Sequence, residues 1–190
     1  MADDNSEQAE AGGAEPSDAE ATLLHRVEHI ERVLETIVGE LGQLKGRTLE
    51  ARVRTSVPHY LRGLISQARV VELDDVLAQL DLGAVEPADM EALERLDLVA
   101  EGSSRSGGQD EVYLAVEISW RVDAHDVRRA DERARILAAG TGKTCHPAVI
   151  AEDEPGGHLL TLARELGVAV VDGDGIVREG GRARPASTDA

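Results

Sequence analysis

The chain has 190 residues, room for one domain of ordinary size plus extensions. Acids outnumber bases 37 to 20, a formal net charge of −17, and residues 51–190 alone carry 25 acids against 16 bases. Such a field repels polyanions at long range, so nucleic-acid binding is disfavoured, though a small basic cleft within an acidic body is compatible with it.

One cysteine, Cys145, excludes an intrachain disulfide and fits a reducing cytosol. No run reaches the roughly 18–20 apolar residues that span a bilayer. The N-terminus lacks the positive start and apolar run of a secretory signal. A soluble cytoplasmic protein with no membrane contact is expected. With no Phe, one Trp and two Tyr, its core must be built from Leu, Val, Ile and Ala.

Residues 1–18 are acidic, small and nearly free of large apolar side chains, too poor in burial to offset the entropy of ordering, and a disordered tail is expected. From 19 to 50 the pattern changes. Leu23, Val27, Ile30, Leu34, Ile37, Leu41 and Leu44 recur at alternating steps of four and three, the 3.5-residue period of a coiled-coil seam. Val27, Leu34 and Leu41 fall at a; Leu23, Ile30, Ile37 and Leu44 fall at d. Leu at a with Ile at d leans towards three or four strands, and apolar Leu24, Val33 and Val38 at the flanking e and g positions widen the stripe the same way. A homo-oligomer through residues 19–50 is expected, the alternative being an amphipathic helix packed on its own domain. Gly39, Gly42 and Gly46 each cost about 1 kcal/mol of helix propensity, so the helix is expected to weaken towards its C-terminal end.

Residues 51–176 read as an α/β domain. A helical piece over 51–66 is broken by Pro58 and leads to the strand "ARVVEL" at 68–73. "DDVLAQL" at 74–80 and "PADMEALERL" at 87–96 have acids and Pro at helix starts. "LDLVAEG", the polar turn "SSRSGGQD" and "EVYLAVEISW" form a long hairpin. "DAHDVRRADERARILAAG" at 123–140 is a helix with Asp at its start and Gly at its stop. "HPAVIAE", the helix "GGHLLTLARELG" and the strand "VAVVDGDG" follow, and 177–190 is expected to be a disordered tail. Apolar strands alternating with helices indicate a central mixed sheet covered by helices.

The hairpin carries the chemistry. Alternate side chains of a strand share a face, so Val112, Leu114, Val116, Ile118 and Trp120 form one apolar face and Tyr113, Ala115, Glu117 and Ser119 the other. In the preceding strand Asp97, Val99 and Glu101 share a face. Folding the hairpin can set Asp97 beside Glu117. Two carboxylates in a half-buried place persist if one is protonated, if cations neutralise them or if they bind metal; oxygen ligands suit Mg²⁺ or Mn²⁺. The other reading is a structural ion-pair network with Arg128, Arg129 or Arg133.

The run "LDLVAEG", a hairpin, "VYLAVEIS" and a helix beginning "DAHDVRRADERARIL" resembles the core of the PD-(D/E)XK nuclease-like superfamily over about residues 87–172. The resemblance implies a restriction-endonuclease-like α/β core after the N-terminal coiled coil. It also implies Asp97 and Glu117 as metal ligands, with the backbone carbonyl of Ile118 completing the site. An acid on the preceding helix, Glu91 or Glu94, would be a further ligand. Asp97, Glu117 and Ser119 then form the candidate catalytic set, but the motif reads E-I-S where the family has E-x-K. A serine hydroxyl cannot supply the cation that helps to activate water and to stabilise charge on phosphate, so Arg128 or Arg129 is the candidate for a migrated charge. Two functions follow: a metal-dependent phosphodiester hydrolase, or a noncatalytic coiled-coil adaptor that retains the fold.

Three further motifs are discounted. "HRVEH" at 25–29 matches a zinc-protease pattern, but its histidines fall at f and c, on the solvated side of the coil. "GTGKT" at 140–144 lacks the first Gly of a phosphate loop and leaves a helix for a strand. Cys145 reads as a buried small hydrophobe.

Overall fold

A computed structural model describes residues 18–81, 83–105 and 110–179. The tail expected over 1–18 lies outside these residues apart from Asp18, as do residues 106–109 of the polar turn and 180–190 of the C-terminal tail. The chain divides into two compact units, the first ending at Gly42 and the second beginning at Gln43.

Helix α1 (Asp18–Thr55) contains the heptad stretch. Among the described residues, its large apolar side chains from Leu23 to Leu44 are 43–68% exposed. The weakening expected at Gly39, Gly42 and Gly46 does not interrupt the helix. Leu49 and Val53, both fully buried, fix its last turns in the second unit, and packing of an apolar face outweighs propensity. The stretch read as coil to residue 50 thus joins the globular unit from Gln43 onwards.

The second unit is mixed α/β. Pro58 does not end a helix but opens a new one, α2 (Val57–Leu61), where its missing N–H costs nothing. Strand β1 (Ile65–Val71), short helices α3 (Leu73–Leu77) and α4 (Pro87–Leu93), and strands β2 (Leu98–Ser104) and β3 (Glu111–Ser119) follow. Then come α5 (Ala124–Thr141), β4 (Cys145–Ala151), α6 (Gly157–Leu166), β5 (Ala169–Asp172) and β6 (Val177–Glu179). The six strands lie in sequence order. β1–β2–β3 is an antiparallel meander, β3, β4 and β5 run parallel through the crossovers α5 and α6, and β6 returns antiparallel. The residues Val177–Glu179, assigned to the tail by composition, are therefore a strand: Asp172 accepts the Ile176 N–H and pairs with Arg178, which turns the chain back onto β5.

β1 begins three residues earlier than its apolar run. Between the Ser66–Ser103 and Arg69–Glu101 pairs, Gln67 and Ala68 form a bulge against β2, with Gln67 at φ 55°. Gly102 sits opposite. A Cβ there would meet the Ser66 carbonyl oxygen at 2.5 Å, so the close approach requires glycine.

Each face of the sheet has its own core. On one, Leu98, Leu114, Val116 and Ile150 pack beneath Leu49, Val53, Tyr60 and Leu61 of α1 and α2. On the other, Val99, Tyr113 and Ala115 meet Leu93 and α5 residues Ala134 and Leu137, while Val149 and Val170 meet Val127, Ala130 and Leu159. Glu117 lies on this second face, between the two groups. Among the described residues no helix is long and apolar enough to cross a membrane.

Candidate carboxylate site

The hairpin folds as its period-2 pattern requires. Leu98 pairs with Val116 and Glu101 with Tyr113, and continuing the register past Leu98 sets Asp97 opposite Glu117. Asp97 stands just outside the ladder, and its Oδ2 accepts the Ile118 N–H at 2.7 Å, satisfying a backbone donor where β2 no longer can. Its own carbonyl accepts from Arg54. For Ile118, the atom aimed at Asp97 is thus the amide N–H, while the residue pairs with Ile150 of β4.

Glu117 is 1% exposed. Arg133 Nη1 donates to its Oε1, and Arg129 Nη2 lies 3.1 Å from its Oε2. Arg129 in turn donates to Asp126 Oδ1 at 2.6 Å. Asp126 and Asp123 form the capping box of α5: Asp123 accepts from the N–H groups of His125 and Asp126, and Asp126 accepts the Asp123 N–H. The start of α5 is thereby wired to the buried acid. Among the described residues, two buried side-chain atoms lack a hydrogen bond, Glu117 Oε2 and Arg129 Nε, so this ion pair has contact distance without donor alignment.

Burial raises the Glu117 carboxyl above the usual carboxylate range, and the Asp97 charge raises it further, while Arg133 and Arg129 pull it back. Asp97 is also raised, chiefly by burial, against the lowering effect of the Ile118 N–H and the two arginines. A third acid reaches this field. Glu50, on α1, is raised by burial and by Asp97.

The helix acids proposed from sequence, Glu91 and Glu94, are exposed on and just after α4. Glu50 is the acid from a preceding helix that senses the Asp97 charge. Its signal was its place beside the stripe of Leu49 and Val53. Ser119 turns away, its hydroxyl donating to the Arg121 carbonyl at 2.9 Å. Arg128 is exposed, whereas Arg129 and Arg133 take the positions beside Glu117. His25 and His29 are exposed on α1. The "GTGKT" stretch ends α5, with Gly142 at φ 66° as its left-handed cap, and enters β4. Cys145 is fully buried, and desolvation pushes its thiol up to about 12.

As arranged, these residues do not fit a resident Mg²⁺ or Mn²⁺. Both Glu117 oxygens face guanidinium groups, and among the described residues no cluster of three or more His, Cys, Asp or Glu is arranged to hold a metal. The arrangement instead neutralises buried acids with fixed cations.

No protein-family model, no curated protein and no solved structure matched the chain. What fold and site define is a class: a mixed α/β protein with a six-stranded sheet, a long N-terminal helix and an arginine-clamped carboxylate on the sheet.

Proposed function

We propose that the chain is a noncatalytic adaptor or scaffold, a nuclease-like α/β domain joined to a helix through which copies of the chain associate. The nuclease-like kinship draws support from element order: an antiparallel meander with α3 and α4 between its first two strands, a crossover helix and a parallel strand, with Asp97, just before β2, in register with Glu117. The observation that carries the noncatalytic reading is the clamp on Glu117. Arg133 and Arg129 already supply the positive charge that a metal ion would bring, and Ser119, which replaces the motif Lys, is bonded to a backbone carbonyl. The acidic field over residues 51–190 weighs against a polyanionic substrate.

A metal-dependent phosphodiester hydrolase is the second reading. The missing hydrogen bond at Glu117 Oε2 favours it, because an under-satisfied buried carboxylate oxygen is an acceptor without a donor. One experiment separates the two. The full chain is incubated with single- and double-stranded DNA and RNA in Mg²⁺ or Mn²⁺, beside Glu117→Ala, and the same ions are titrated calorimetrically. The adaptor reading expects no cleavage and no binding heat. Cleavage by the parent chain that Glu117→Ala abolishes would overturn it.

A further inference from the structure

The uncovered seam of α1 also specifies how copies of the chain align, an inference that rests on the self-association just proposed. We infer that α1 associates with further copies of itself in a parallel, in-register bundle. The argument comes from the residues flanking the seam. With Val27, Leu34 and Leu41 at a, the g positions hold Arg26, Val33 and Glu40, and the e positions five residues further on hold Glu31, Val38 and Lys45. In a parallel bundle a g residue of one helix meets the e residue of the next heptad on its neighbour. The three contacts are then Arg26 with Glu31, Val33 with Val38, and Glu40 with Lys45: opposite charges at both ends and an apolar pair between them.

The antiparallel alternative fails on the same residues. Keeping the a and d layers full, with Leu34 opposite Ile37 and Val27 opposite Leu44, sets Glu31 against Val38 and Val33 against Glu40. It also sets Leu24 against Lys45 and Arg26 against Arg47. Every flanking contact becomes mismatched or repulsive, which is how charge patterning selects orientation. The occupant of the seam is accordingly a second copy, and Leu at a with Ile at d favours three or four helices in the bundle. The seam from Leu23 to Leu44 is about 30 Å long at helical rise. None of its large apolar side chains is less than 43% exposed in the single chain.

Charge exchange in the full chain tests this. Arg26 and Glu31 are both exposed, so their substitution leaves the second unit intact. In the parallel bundle Arg26→Glu sets a second carboxylate against Glu31, and Glu31→Arg sets a second guanidinium against Arg26. Each single variant is expected to raise the midpoint concentration of assembly about tenfold or more, since the like pair recurs at every interface. Combining both changes in one chain is expected to restore assembly. Sedimentation equilibrium reads each case. An antiparallel bundle would instead be strengthened by Arg26→Glu, which replaces an Arg–Arg contact with Arg47; assembly that survives or tightens in that variant overturns the parallel arrangement and leaves self-association standing. A parent chain that sediments at its monomer mass of 20.3 kDa overturns both.

Discussion

Strand β3 and helix α1 both carry an unbroken apolar stripe, yet they end in opposite surroundings. Every residue of β3 from Val112 to Ile118 is buried, with helices covering both faces of the sheet. The seam of α1 up to Leu44 stays open to solvent. The difference lies in period and reach. A period of two allows partners on both sides within one chain, whereas a sustained 3.5-residue period asks for another helix of equal length. Among the described residues no other helix approaches the 38 residues of α1, the next longest being α5 with 18. An apolar stripe therefore reveals a partner's geometry before it reveals where the partner comes from.

The largest expected effect breaks the buried end of this comparison. Arg133 is 5% exposed and clamps Glu117. Arg133→Met leaves the acid short of a counter-charge and is expected to cost about 3–5 kcal/mol in urea denaturation. Glu117→Gln added to Arg133→Met removes the stranded charge and should recover a large part of that loss. If single and double variants were equally unstable, lost packing of the Arg133 stem would account for the cost instead of charge.

At the exposed end, Leu34→Asp places a carboxylate at the middle a position of the seam. Association is expected to weaken by about 2 kcal/mol per copy or more, while the urea midpoint of the second unit stays unchanged. A shift in that midpoint would mean that the seam supports the fold of its own chain.

Between these extremes stands Asp123, the cap of α5. Asp123→Ala should destabilise by about 1 kcal/mol. The N–H of Asp126 is the main cause holding the Asp123 carboxyl below its ordinary range. A depressed carboxyl contributes stability above its unfolded-state pKa and loses it as pH falls through the lowered folded value. The deficit of the Ala variant should accordingly shrink in acid, in a series of denaturation curves from neutral to low pH.

The local patterns of the sequence carried much of the fold. The faces of the hairpin follow from strict alternation over 97–101 and 112–120, and the start of α5 from Asp123, although the helix continues through Gly140, read as its stop, and ends at the Gly142 cap. What could not be read was long-range phase. Asp126, Arg129 and Arg133 recur at i, i+3 and i+7 on one face of α5, beside the apolar stripe of Val127, Ala130 and Ala134, and this spacing distinguishes Arg129 and Arg133 from exposed Arg128. Only the crossover from β3 to β4 decides that this face meets Glu117. Glu50 escaped notice for a similar reason, since it lies 47 positions before Asp97 and is brought to it only by the anchoring of Leu49 and Val53. β6 was too short to show a period at all.

Asp97→Asn carries the smallest expected effect and the sharpest information about the site. Asn keeps an oxygen to accept the Ile118 N–H, so the local geometry is conserved and only the charge is lost. The Asp97 charge is one of the causes that raise Glu117. Its removal should move the Glu117 carboxyl downward, a shift that carboxyl ¹³C NMR titration can read. The sign for stability follows from linkage. A carboxyl whose folded pKa is raised contributes most below its unfolded-state pKa, and the contribution is lost as pH rises through the folded value. Asp97 is such a group, so replacing it with a neutral residue should stabilise the chain slightly at neutral pH. That gain should fade as pH drops below the ordinary carboxylate range, where parent and variant are both uncharged at position 97. A Glu117 titration that did not move would show that the two acids, though adjacent in register, do not share a field. The arginine clamp would then act on Glu117 alone.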